Sequence, residues 1–266
     1  MSIFKEKVLA GKVAFVSGGT SGINLRIAER FAEHGAKVAV LGRKQEKLDA
    51  AAAQLGRFGG QVLGLAADVR EYAAVEKALA EVKAKLGTID VVVCGAAGNF
   101  PAPAIGMSSN AFRSVIEIDL LGTFHVCRAA FEHLRQPGAA VLNISAPQAY
   151  QPMVLQSHVC AAKAGVDMLT KTLALEWGPA GIRVNALTPG PIDETEGMSR
   201  LAPTEEIRDA MRQALPLGRF GSKDEIADLA LFLCSDAAAY MTGGIYACDG
   251  GQSLVGSGGV MKALGF

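Results

Sequence analysis

Short, continuously apolar runs alternate along this chain with longer stretches in which apolar residues recur at helical spacing. The runs at 12–17, 37–42, 61–68, 89–95, 139–145, 182–188 and 245–251 predict seven strands. Between them the spacing predicts helices over 23–34, an Ala-rich helix after the second strand to about Leu55, and helices over 72–86, 108–134, 155–177 and 222–233. The helix over 108–134 is expected to break near Gly122, and a shorter helical patch is expected near 204–215. Strands that are apolar on every position belong to a sheet covered by helices on both faces. Strand–helix alternation with short links gives right-handed parallel βαβ units. The pattern therefore predicts one doubly wound α/β domain over 1–266 with a seven-stranded parallel sheet.

One connection departs from that economy. Residues 189–221 carry Pro191, Pro203 and Pro216 and leave the carboxyl end of a strand, the edge at which open α/β sheets bind ligands. This excursion is expected to act as a substrate loop. The glycine-rich end, 252–266, reads as a tail that could also pack on a neighbouring subunit.

Composition narrows the function classes. Half of the 266 residues are hydrophobic, and 26 Lys and Arg balance 26 Asp and Glu, so neither nucleic acid nor an anionic membrane surface is an expected partner. No apolar stretch reaches the length of a membrane span, and the start, MSIFKEKVLAGK, has no signal-peptide core. The five cysteines (Cys94, Cys127, Cys160, Cys234 and Cys248) form no C-x-x-C pair, which argues against a disulfide framework or metal site. A reducing, cytoplasmic location is the expectation.

The run Ser17-Gly18-Gly19-Thr20-Ser21-Gly22-Ile23-Asn24 lies between the first strand and the first helix. Glycines there let backbone amides approach a pyrophosphate, and the helix N-terminus adds partial positive charge; the plainer reading is a tight turn. This run resembles the T-G-x-x-x-G-x-G loop of the short-chain dehydrogenase/reductase family, and the likeness extends over nearly the whole chain. Two positions depart from it: Ser17 stands for Thr, and Asn24 for the last glycine. The resemblance implies a Rossmann-type subunit whose cofactor is held by Gly18, Thr20, Ser21, Gly22 and Ile23. It adds contacts from Asp68-Val69, from Gly95-Ala96-Ala97 (at the family's N-N-A-G segment), from Lys163, and from Pro189, Gly190 and Ile192. It also implies a homotetramer assembled through the two long helices and the last strand. At the end of the second strand, Arg43 and Lys44 replace the acidic residue that would bind ribose hydroxyls. Two cations there suit a 2′-phosphate, so NADPH is the expected cofactor ahead of NADH; the alternative is a solvated basic helix start.

The catalytic positions differ from the common family pattern. Ala161-Ala162-Lys163-Ala164-Gly165 resembles the segment around the catalytic lysine, yet the tyrosine position is Val159. The serine position falls on Ala146, beside Ser145, and the asparagine position on Asp119. Such a site either lacks turnover or protonates carbon rather than a carbonyl oxygen. The joint pattern of losses and gains, with Gly98-Asn99-Phe100, Asp119, His158 and Lys163, resembles the peroxisomal-type 2,4-dienoyl-CoA reductases of that family. That likeness implies hydride delivery to the δ-carbon of an acyl-CoA-type dienoyl substrate. A water held by the catalytic pair Asp119 and Lys163 would then protonate the α-carbon. By their positions Asn99, Phe100, Ser145 and His158 are candidates to touch substrate; a plain loop for Asn99 and Phe100, and a packed histidine on a helix face for His158, are the alternatives. Arg57, Arg113, Arg200 and Arg219 are candidates for CoA phosphates. Two readings stay open beside it: a ketone or alcohol oxidoreductase using Tyr150 or water as acid, and a cofactor-binding sensor without turnover.

Overall fold

Strand residues that are apolar on both faces need cover on both faces, and the computed structural model, which describes Phe4 and residues 7–257, supplies it. The strands are β1 (Val13–Ser17), β2 (Lys37–Gly42), β3 (Val62–Ala66), β4 (Val91–Cys94), β5 (Ala140–Ile144), β6 (Arg183–Pro189) and β7 (Ile245–Cys248). They form one parallel sheet of seven strands in the order β3-β2-β1-β4-β5-β6-β7. Side chains alternate across it. Phe15 faces the layer that holds α3 (Tyr72–Lys85), α5 (Gly122–Ala130) and α6 (Ser157–Trp177). Ala14 and Val16 face α1 (Gly22–Glu33), α2 (Gln45–Gly56) and α9 (Lys223–Cys234).

Strand order reverses between β1 and β4, which pair through Ser17 and Cys94 at their carboxyl ends. Chain leaves these two ends toward opposite faces, and the crevice opens there. The last helix is set by local chemistry: Ser222 and Glu225 form a reciprocal capping box at the start of α9. By contrast the Ser21 side chain does not cap α1, and no acidic residue sits in its first turn.

Three segments differ from expectation. The irregularity expected near Gly122 begins earlier: α4 (Ser109–Val115) widens into a π-helical turn, Ile116–Leu121, before α5 resumes the ordinary pitch. Gly122 itself lets α5 lie against Val69, whose Cγ2 would be 2.6 Å from any Cβ placed there. The last strand ends at Cys248 rather than at 251, because Gly250 and Gly251 turn the chain with positive φ. The excursion after β6 holds two helices, α7 (Glu196–Leu201), capped by Thr195, and α8 (Glu205–Ala214), capped by Thr204. Of the expected tail, 252–257 forms a 3-10 turn and 258–266 lies outside the described residues. No described helix is long and apolar enough to cross a membrane.

Candidate active site

The crevice is a cleft of about 450 Å³ built from the loops at the carboxyl edge of the sheet. Gly18, Thr20 and Ser21 line it from the β1–α1 loop, and Asp68 and Val69 from the loop after β3. Gly95, Ala96 and Ala97 close it from β4. Gly18 has φ +69°, and a Cβ there would lie 2.9 Å from the Ala96 backbone, so glycine is what allows the two loops to meet. Arg43, Lys44 and Lys47 line the far end, where β2 passes into α2. Asp68 accepts from Arg70, whose guanidinium holds the carboxyl below its ordinary range.

These residues fit a dinucleotide. The uncapped N-terminus of α1 leaves backbone N–H groups for a pyrophosphate, and three cations at the far end offer charge to a further anionic group. Not every expected cofactor residue joins the lining. Gly22 and Ile23 start α1, and the Ile23 side chain packs on the core. Pro189 ends β6 and Gly190 follows it, both outside the cleft lining, with the Gly190 N–H bonded to the Cys248 carbonyl at 3.0 Å. Ile192 is buried and borders a separate cavity of about 350 Å³, together with Arg219 and Glu225.

At the inner end, the π-helical turn carries Asp119 beneath Gly98 and Ile118, both of which line the cleft. Asp119 is 1 % exposed; its Oδ1 accepts from the Gly98 N–H at 2.7 Å. Its Oδ2 lies 3.4 Å from Lys163 Nζ and has no hydrogen-bond partner among the described residues. Lys163, 6 % exposed, comes from α6 and donates to the Ile144 carbonyl at 2.9 Å. A buried pair of opposite charges persists only where hydrogen bonds offset lost hydration, as Gly98 and Ile144 do here. The two side chains the sequence singled out for chemistry thus meet in space, each with bonding capacity to spare.

Nothing acidic stands at the position of the missing tyrosine. Val159 packs with Val115 and Ala162, an apolar plug backed by Phe100, Ile116 and Leu120. Ser145 is turned into the core and donates to the Asp167 carboxylate, whose carboxyl burial pushes up while Ser145 opposes the shift. It does not line the cleft, because the hydroxyl that could have reached substrate satisfies a buried carboxylate instead. Tyr150 is half-exposed on the turn after β5 and associates with Ser253, also outside the lining.

Asn99 is exposed, Phe100 half-buried, and both line the cleft. His158 is fully buried, with its ring 4.4 Å from that of Phe100. Neither of its ring nitrogens makes a well-formed hydrogen bond. Burial holds it below the ordinary histidine value, against the pull of the Phe100 backbone and the Asp119 charge. Of the arginines considered for CoA phosphates, Arg200 lines the cleft from α7 beside Glu196, its ion-pair partner. Arg219 pairs with Glu225 at the separate cavity, and Arg57 and Arg113 line neither. Lys47 escaped the sequence reading, although it follows Lys44 by three positions, the spacing that stacks side chains on the first turn of a helix.

Comparison with known proteins places this architecture. Residues 18–253 match the short-chain dehydrogenase/reductase model described as enoyl-(acyl carrier protein) reductase. The chain belongs to the short-chain dehydrogenase/reductase family. It is an oxidoreductase of that family. It is 42% identical over 263 residues to the peroxisomal 2,4-dienoyl-CoA reductase [(3E)-enoyl-CoA-producing] of Arabidopsis thaliana, covering 95% of this chain and 88% of that one. The corresponding peroxisomal enzyme of Saccharomyces cerevisiae is 42% identical over 258 residues, covering 96% and 88%. Among solved structures, a gluconate 5-dehydrogenase from Burkholderia cenocepacia in complex with NADP and tartrate superposes with a TM-score of 0.88. It is 30% identical, covering 94% of this chain and 98% of that one.

Proposed function

We propose that this oxidoreductase reduces 2,4-dienoyl-CoA thioesters, or closely related unsaturated acyl thioesters, with NADPH. The observation that carries the reading is the buried Asp119–Lys163 pair directly behind the cleft wall at Gly98 and Ile118, near an apolar plug where a phenol would otherwise stand. A carbonyl reduction needs an acid at the oxygen that gains charge; a conjugated thioester can spread that charge and take its proton on carbon. The relatives from Arabidopsis thaliana and Saccharomyces cerevisiae support the substrate class. Arg43, Lys44 and Lys47, and the NADP complex of the Burkholderia cenocepacia enzyme, support the phosphorylated cofactor.

When bound, a dihydronicotinamide would supply the hydride that adds at the δ-carbon. Lys163 would offer positive charge to the thioester, where negative charge gathers, and a donor to the cofactor ribose. Asp119 Oδ2 and Lys163 orient a water whose proton goes to the α-carbon, leaving a 3-enoyl thioester and drawing a fresh proton from solvent. Gly98 keeps the carboxylate in place through Oδ1. Asn99 and Phe100 contact the acyl chain, His158 supports Phe100 from beneath, and Arg200 lies within reach of a phosphate at the cleft mouth.

We further propose a homotetramer in a reducing, cytoplasmic setting. Met168 and Leu175 on α6 are 62 % and 81 % exposed, apolar area suited to a neighbouring subunit, and the described cysteines are free thiols. Light scattering tests the assembly. The activity is tested by following the loss of dienoyl absorbance with 2,4-hexadienoyl- and 2,4-decadienoyl-CoA in the presence of NADPH or NADH. Turnover with NADPH and a 3-enoyl product is expected; cofactor binding without turnover of either thioester overturns the reading.

A further inference from the structure

Gly95 is held from two sides by the glycine loop. Its N–H points at both the carbonyl and the hydroxyl of Ser17, at 3.2 and 3.1 Å, and its carbonyl accepts from Asn24 Nδ2 at 2.7 Å. Ser17 and Asn24 are the two loop positions that depart from the pattern this loop resembles, and they converge on one peptide unit. The fit is tight. A Cβ at position 95 would lie 2.5 Å from Asn24 Nδ2 and closer still to Cγ and Oδ1, so the amide keeps this position only against a glycine at 95. Asn24 Oδ1 is buried without a partner, so burial alone does not favour an amide here. What the amide adds is its bond to Gly95.

From Gly95 the chain runs without regular structure to Gly98, whose N–H holds Asp119 Oδ1. Ala96, between them, touches Gly18. Only three peptide units join the two held groups, and the close approach of Ala96 to Gly18 confines the stretch between them, so a shift of the Gly95 carbonyl has a short, restricted path to the Gly98 N–H.

We infer that Asn24 is a positioning residue: by holding the Gly95 carbonyl it sets the strap 95–98 so that Gly98 meets Asp119, joining the cofactor loop to the proton-handling pair. The inference rests on the reading above for the role of Asp119, and not for the coupling itself. Two measurements separate them. Amide hydrogen exchange at Gly98, read by NMR without substrate or cofactor, should accelerate about tenfold in Asn24→Ala. The same variant should lose about tenfold in kcat on a dienoyl thioester with the NADPH Kd changed less than about threefold, and its solvent deuterium isotope effect should rise as protonation slows. Asn24→Asp keeps the shape of the side chain but replaces the donor with acceptors that cannot bond the Gly95 carbonyl. This variant should lose Gly98 protection as Asn24→Ala does, and it carries the test if Asn24→Ala does not fold. Unchanged Gly98 exchange in either variant overturns the inference. A wild-type chain that binds NADPH but reduces no dienoyl thioester overturns the functional reading alone, and the exchange data still decide on Asn24.

Discussion

At the β2 end of the cleft, Arg43, Lys44 and Lys47 stand exposed to water; behind the wall of its inner end, Asp119 and Lys163 are buried against backbone groups. Both ends present charge, but the surrounding medium makes them different instruments. Exposed cations keep their hydration, adapt to a ligand and are screened by salt, so each is worth little alone and they suit discrimination between cofactors. A buried pair has given up hydration, is barely screened and cannot lose one partner without stranding the other. On the function proposed above, affinity and cofactor choice belong to one end and rate to the other.

The sharpest way to break this contrast is at the buried end. Asp119→Ala and Lys163→Ala should each lower kcat on a dienoyl thioester about a thousandfold or more, roughly 4 kcal/mol, with the NADPH Kd of Asp119→Ala nearly unchanged. A loss below tenfold would remove the pair from the chemistry. Val159→Tyr asks whether a phenol can be put back. Val159 is packed by Val115 and Ala162, so the larger ring should cost about 1–3 kcal/mol, seen as a lowered Tm, and should confer no ketone reduction.

At the exposed end, Arg43→Ala should weaken NADPH binding about tenfold, near 1.4 kcal/mol, leave NADH binding unaltered, and do so less in high salt. A smaller effect comes from His158. Its folded-state value lies below the ordinary 6.5, so the unfolded chain takes the proton more readily. Stability is then complete above that ordinary value and declines as pH falls below it, and His158→Phe should flatten the decline in Tm between about pH 7 and 5.5. Smallest of all, Tyr150→Phe should keep kcat within about twofold, because the hydroxyl lies outside the cleft.

Much of this was legible along the chain for identifiable reasons. Residues such as Val91, Val92 and Val93 are apolar on consecutive positions, which announces a strand with helices on both sides. The glycine loop declared itself by its place between a strand and a helix. Asp119 and Lys163 were visible as residues of the right chemistry at family positions. Their meeting was not, since Ile116–Leu121 reads as ordinary helix and only packing against α6 and Val69 reveals the widened turn that aims the carboxylate. Ser145 misled because a serine beside a strand end can face either way, and a buried Asp167 claimed its hydroxyl. Lys47 and Asn24 needed the loops in place before their reach could be seen.

The sequence by itself determined the alternation of strands and helices, the phosphate-suited loop, and the loss of the phenol, since periodicity and residue type are properties of neighbouring positions. Tertiary structure decided which polar groups share a site: Gly98 finds Asp119 across 21 positions, and Asn24 finds Gly95 across 71. Those partnerships follow from the sheet order, which brings β4 beside β1 and carries the loops of both into one crevice, and a buried donor or acceptor takes whichever partner that order delivers.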